Sequence, residues 1–462
     1  MIDAKDVRGH RRVIALMALT KLILTADFAI VSLAMPSIGK QLGVPPAALA
    51  WVVTANTLAL AGTLIIGGKL VDRFGHRIAL AIGLTMFGLA SASAGFAPSF
   101  PFIIGARIVQ GLAVALLSPG AFALITGFLP DGPIRHKALG VFGVTQGLSL
   151  ILGLLVGGWI VSTFGWRGAF LVNVPLVAIA LLMALAWLPR AHEAAREPID
   201  ASGALVATIA MTLLVGGIAM LGRMGVSSTT LGMIAGAGTM IALFIFIERR
   251  VAVPLVPGHL LRRPMFALAA FMLMLFMGGV GGLLVLSQLY MQRVLEFTPA
   301  AAGLGAMPYA FAVIAAGQMA PTLLARVPIR AAVTGAGLLN LFGLAFLAST
   351  MGQPYFASIA PGMVICALGS VTTFIVMMQA ATAPLPAGEQ GIGTAILFTA
   401  QQVGTGLGAT VTMVLLDPGA NDLVARDFRA PFLVLAGGIL AALAALYMSS
   451  GRVAAPALKQ TP

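Results

Sequence analysis

Long apolar runs, broken by short clusters of Gly, Pro and charge, repeat along the whole chain. Between the breaks they predict helices at about 13–36, 48–68, 78–97, 100–128, 138–162, 168–188, 202–221, 230–247, 265–291, 299–324, 331–350, 355–382, 391–416 and 430–449. Runs of ~20 apolar residues have the length a helix needs to cross hydrocarbon. They lack the alternation of a membrane strand, which excludes a β-barrel. The pattern is that of an all-α polytopic membrane protein with fourteen spans. The first run is long and ends in no small-residue cleavage site, so it reads as a retained helix and not a signal peptide.

Composition agrees with the pattern. Hydrophobic residues make up 60% of the 462 positions, charged residues 9%, and mean hydropathy is +1.03. So few charges cannot cover a water-facing surface, which excludes a soluble globular enzyme and a disordered chain alike. The net charge of +13 could suggest nucleic acid. The bases are scattered through short loops, however, and membrane topology accounts for them. With the N-terminus inside, the inner segments hold 19 Lys and Arg and the outer loops 6, while Lys21 and Arg107 fall within spans. That bias places both termini in the cytoplasm, and the high Ala and Gly content suggests a bacterium, hence its inner membrane.

The organisation is a weak duplication. A cytoplasmic N-terminus (1–12) leads into six spans over 13–188. Two additional spans with their linkers occupy 189–264, six more fill 265–450, and a cytoplasmic tail covers 451–462. Paired six-helix halves with a site between them are a transporter plan.

Charges inside the apolar runs are the informative residues. Asp27 is the one acid clearly within a span, where a carboxylate costs ~2.5–3.5 kcal/mol even on the lenient insertion scale. Such a group lowers that cost by facing a cavity, pairing with a base or taking a proton. Arg107 in the fourth span lies at a similar depth and is its natural partner. Lys21 is six residues from Asp27, on a different face, and reads as snorkelling to the near membrane surface. Asn56, Gln110, Gln146, Gln288, Gln379 and Gln402 could line a cavity; each could equally bond a neighbouring helix. The five histidines, His10, His76, His136, His192 and His259, lack ligand spacing, and the single Cys366 excludes a thiolate cluster, so no metal site is expected.

Several segments carry a family resemblance. The second span ends in GGKLVDRFGHR (67–77). Its Gly68, Asp72, Arg73, Gly75 and Arg77 resemble the signature turn between helices 2 and 3 of the major facilitator superfamily, with His76 where a base is usual. IGARIVQGLAVA (104–115) resembles the fourth-helix motif built around a buried arginine, here Arg107. SLILGLLVGG (149–158) is similar to the fifth-helix antiporter motif, Gly-xxx-Gly-Pro-xx-Gly-Gly. Gly153, Gly157 and Gly158 fit it, whereas Ser149 and Leu154 replace Gly and Pro; small residues at this spacing also serve plain helix packing.

DFAIVSLAMPSI resembles the acid-bearing first helix of the fourteen-helix drug:proton antiporters. Asp27 and Pro36 match, and Ser32 replaces Asn. WRGAFLVNVPL (166–176) resembles that family's sixth-helix entry through Trp166, Arg167, Phe170, Asn173 and Pro175. GIGTAILFTAQQVGTGLGA (391–409) is similar to a segment that often has Arg where Gln401 stands.

The resemblance implies a major facilitator fold of two six-helix halves plus two central helices. It implies a proton-coupled exporter of small hydrophobic or amphipathic compounds, as in multidrug or antibiotic efflux, working by alternating access. Asp27 and Arg107 would couple protons, and the 67–77 turn would latch the cytoplasmic side. Small-molecule cargo and the lipid bilayer are the expected partners of a monomer, with protons as coupling ion and no cofactor. GTGLGA (404–409) lies in an apolar run without the preceding strand a dinucleotide site needs. No Walker sequence occurs, so neither ATP nor nucleic acid is expected, and no residue set supports catalysis. The alternatives are another cargo (a lipid, a metabolite or a self-made antibiotic) or, less favoured, a membrane sensor or enzyme.

Overall fold

The computed structural model describes residues 7–44, 49, 51–130, 132–189, 201–251, 254, 256–386, 389–416 and 424–448. Among them every regular element is a helix. Residues 1–6 of the N-terminal segment, the 451–462 tail, Arg190 and Arg196 fall outside the described residues.

Ten helical stretches are long and apolar enough to cross a membrane. Two are far too long for one crossing. Trp51–Gly95 has 45 residues and bends at Gly75, whose φ of 76° and ψ of 157° end one helix and start another. At ~1.5 Å per residue an unbroken helix of that length would exceed twice the ~30 Å hydrocarbon thickness. Pro133–Leu171 breaks in the same way at Gly165, with φ 68°. Positive φ is easy for Gly and costly for other residues. Prolines inside the first turn start the helices Phe100–Phe128, Pro133–Leu171, Pro264–Arg293 and Met307–Arg326, where the missing N–H has no partner to lose. The tenth apolar run is interrupted, as Pro299–Leu304 and then Met307–Arg326.

The Trp51–Gly95 helix packs on Phe100–Phe128, and Val7–Leu42 packs on Pro133–Leu171. Beyond residue 260, Pro264–Arg293 packs on Gln390–Leu416, and Ile329–Thr350 on Ile359–Thr382. Two seams join the early helices to the late ones. In one, Trp51–Gly95 meets Gln390–Leu416; in the other, Pro133–Leu171 meets Met307–Arg326. The second seam is built on small residues: a Cβ placed on Gly317 would stand 2.6 Å from the Gly143 carbonyl carbon. Helices associate in lipid largely by such close backbone approach.

Ala201–Met224 and Ser228–Glu248 pack on each other, and the former also leans on both walls of the first seam. There Thr410 donates to the Ile218 carbonyl at 2.8 Å. Large apolar side chains such as Trp159, Leu182, Phe342 and Leu440 are exposed on the outside of the bundle. In a soluble protein they would be a liability; here they form a surface for lipid.

Candidate functional site

Asp27 is 3% exposed and Arg107 1%. Arg107 Nη1 donates to Asp27 Oδ2 at 2.7 Å, and the second carboxylate oxygen, Oδ1, accepts from Asn173 Nδ2 at 2.7 Å. The guanidinium has other anchors as well. Nε donates to the Val52 carbonyl at 2.8 Å and Nη1 to Gln110 Oε1 at 2.8 Å, while Gln110 Nε2 donates to Ser91 Oγ at 2.8 Å. Both charges are therefore paired and hydrogen-bonded, the condition under which burial of charge is tolerated. All these residues belong to helices that precede residue 190.

Two fifth-span glycines set the position of Asp27. A Cβ on Gly153 would meet the Ala26 carbonyl oxygen at 3.1 Å, and one on Gly157 would meet Ile30 Cα at 3.2 Å. They seat the fifth span directly on the Asp27 stretch. Gly158 has open space beside it, and Ser149 donates to the Thr145 carbonyl at 2.5 Å. The side chain of Leu154 falls outside the described residues.

Near the far end of the first span, the buried Trp166 donates from Nε1 to Gln41 Oε1. Arg167 lies over the Trp166 ring at 4.3 Å and reaches Gln41 Oε1 at 3.2 Å. Pro175 sits in the first turn of Asn173–Trp187.

The 67–77 turn makes the second polar site. Asp72 Oδ1 accepts from the Gly391 N–H and Oδ2 from the Ile392 N–H, each at 2.7 Å. These N–H groups open the Gln390–Leu416 helix, where unpaired donors and the helix dipole favour an anion. Gly68 permits the approach, since a Cβ there would stand 2.6 Å from the Gly391 carbonyl. Burial raises the Asp72 carboxyl to about 7, against the lowering pull of the two N–H donors and Lys69. Burial likewise lowers His76 to about 4, so its ring is neutral at ordinary pH. That ring stands edge-on to Phe128. Arg77 Nη2 donates to the Leu185 carbonyl at 2.6 Å, Arg73 lies near the Phe74 ring at 5.7 Å, and Gly75 supplies the bend. Glu389, just ahead of the same helix start, lies 2.9 Å from His259 Nε2.

Other polar candidates scatter. Asn56 donates to the Arg107 carbonyl at 3.3 Å, and Gln288 to the Ala302 carbonyl at 3.2 Å. Both thus bond a neighbouring backbone carbonyl. Gln379 and Gln401 each keep a buried side-chain oxygen without a partner among the described residues. No hydrogen bond joins Gln146 or Gln402 to another described side chain. Lys21 does not reach for the membrane surface: its Nζ stands 4.9 Å over the Phe142 ring. That ring begins an edge-to-face series through Phe122 to Phe398 that crosses between early and late helices.

Sequence reasoning missed Asn173 and Ser91 as members of the Asp27 cluster. A signal existed for Asn173 in its motif, but nothing in the sequence joins it to an acid 146 residues away. Ser91 has no signal.

Known proteins resemble the chain throughout. The family model described as Major Facilitator Superfamily matches residues 17–409. The lincomycin resistance protein of Streptomyces lincolnensis is 31% identical over 98% of this chain and 95% of its own length. The puromycin resistance protein pur8 of Streptomyces alboniger is 31% identical over 85% of this chain and 78% of its own. Among solved structures, the human organic anion transporter MFSD10 superposes with a TM-score of 0.67 at 16% identity, covering 95% of this chain and 99% of that one.

Proposed function

The chain belongs to the major facilitator superfamily and is a membrane transporter, not an enzyme, and from that premise we propose that it is a proton-coupled exporter of small hydrophobic or amphipathic compounds. The reading rests on one observation: a buried carboxylate paired with a buried guanidinium and held by an amide, all within the early helices. The cargo class is argued from the relatives, which are named for resistance to puromycin and lincomycin.

We count fourteen spans: dividing the two over-long stretches at Gly75 and Gly165 turns the ten into twelve, and the helices Ala201–Met224 and Gln390–Leu416 are read as the other two. Six on each side flank the added pair. The basic loops orient both termini to the cytoplasm of a bacterial inner membrane, and one chain contains the whole path.

Alternating access then proceeds by rocking of the two halves. A proton from outside joins Asp27 Oδ2 and removes its charge. Arg107 keeps the Gln110 and Val52 acceptors, so it need not move far when Asp27 is neutral. The neutral pair favours the inward-facing state, and proton release inside resets the cycle. One charge crossing 100 mV supplies ~2.3 kcal/mol, enough for roughly fiftyfold accumulation of cargo. The two bonds from Asp72 to the Gln390–Leu416 helix close the cytoplasmic side and break when it opens.

Inverted vesicles containing the full chain test this with an imposed pH gradient and several fluorescent dyes. Accumulation that a protonophore abolishes is expected. Dye movement that persists at full rate after the gradient collapses would mean the energy comes from elsewhere.

A further inference from the structure

The second seam carries a cleft that the transport reading does not use. It has a volume of about 640 Å³, in the range of ligand-sized sites. One wall is the start of the fifth span, with His136, Lys137, Val141 and Val144; the other is the end of the Met307–Arg326 helix, with Thr322 and Arg326. Lys137 and Arg326 are exposed, and among the described residues no acid lines the cleft.

Its direction follows from helix geometry. Phe142 points inward, to Lys21 and Phe122. At 3.6 residues per turn, Lys137, Gly140 and Val144 lie within about 40° of the side opposite Phe142. The cleft therefore opens away from the interior, on the outer surface of the bundle. Cations stand at the helix ends, and the Val141–Val144 wall continues deeper along the span.

We propose that this cleft binds one anionic phospholipid, with its phosphate between Lys137 and Arg326 and the start of an acyl chain along Val141 and Val144. Charge complementarity favours the headgroup, because basic pockets between membrane helices attract anionic lipid. The apolar wall favours a lipid over free phosphate, which has no use for it. A lipid held there touches both sides of the seam and favours the arrangement in which that seam is shut.

The test uses the purified full chain in detergent with dioleoyl phosphatidylglycerol and dioleoyl phosphatidylcholine as probes, read by native mass spectrometry. Wild type is expected to bind phosphatidylglycerol more tightly. Replacing each cation by Ala is expected to cost about fivefold, and the Lys137→Ala/Arg326→Ala pair about twenty-five-fold. Arg249→Ala/Arg262→Ala, which removes two exposed charges elsewhere, is expected to leave binding unchanged. Equal binding of the two lipids by wild type overturns the proposal, as does wild-type affinity in the Lys137/Arg326 pair or an equal loss in the control pair. Displacement of phosphatidylglycerol from wild type by millimolar inorganic phosphate also overturns it, since the cleft would then read phosphate alone.

Discussion

Asp27 and Asp72 are two carboxylates with opposite attachments. Asp27 is held by side chains, Arg107 and Asn173, on helices that all precede residue 190. Asp72 is held by backbone, the Gly391 and Ile392 N–H groups, on a helix more than 300 residues away. In the proposed cycle, rocking the early helices against the late ones leaves the first set of bonds intact and breaks the second. On that proposal, the charge that rocking leaves undisturbed is the one that gains and loses a proton. A charge that bridges the moving parts reports and biases their position. On the same proposal the two acids divide coupling from gating.

The largest expected effect sharpens that division. Asp27→Asn keeps a side chain of similar size and removes the proton site, so pH-driven export is expected to vanish while the protein folds and the Asp72 bonds survive. Vesicle transport measured beside cysteine accessibility at the 67–77 turn checks both halves of the statement. Full pH-driven export by this variant would move Asp27 to a structural role.

Next comes Arg107→Ala, which strands a buried carboxylate. A loss of about 3–5 kcal/mol is expected, read as a marked fall in thermal unfolding temperature. Adding Asp27→Asn to the same chain should recover much of it. No recovery would show that the Gln110 and Val52 contacts of Arg107, rather than its charge pairing, carry its contribution.

Asp72→Asn is smaller. It replaces one accepting oxygen by an NH2 group that cannot accept from the Gly391 or Ile392 N–H, leaving a buried donor unpaired at a cost of about 1–3 kcal/mol, so the closed population is expected to fall and export to drop severalfold at equal protein level. Unaltered transport would refute the latch.

The smallest effect is a pH dependence. The bonded Asp72 carboxyl is raised from 3.8 to about 7, so the closed state holds a proton more tightly than an Asp72 released into water. Between those two values, acidification of that face favours closure and alkalinisation favours opening. Distance measurements between spin labels across the first seam should show closure growing as pH falls from 7 toward 5, and a flat response in Asp72→Asn.

The sequence made the costly residues legible. Asp27 and Arg107 stand out because charge inside an apolar run demands a partner, and depth along each helix brings them to one level. The membrane architecture was legible for the same reason, from runs too apolar to meet water. Asn173, Gln110 and Ser91 were less so, since uncharged polar groups are cheap enough in helices to serve many ends. Whether each meets Arg107, Asp27 or a backbone carbonyl depends on helix rotation, which only packing decides. Lys21 shows the same limit: its length suits a reach for the membrane surface, yet the fold offers it the Phe142 ring. Gln288 had the polarity of a cavity residue but donates to the Ala302 carbonyl of the short Pro299–Leu304 helix.

Infrared difference spectroscopy of the reconstituted chain, wild type against Asp27→Asn, asks most directly whether Asp27 exchanges a proton during transport. A carboxyl band that appears and disappears with pH when cargo is present, and is missing from Asp27→Asn, is the predicted result. An unchanging carboxylate signal at that position across the working pH range, in protein that still exports, would contradict it.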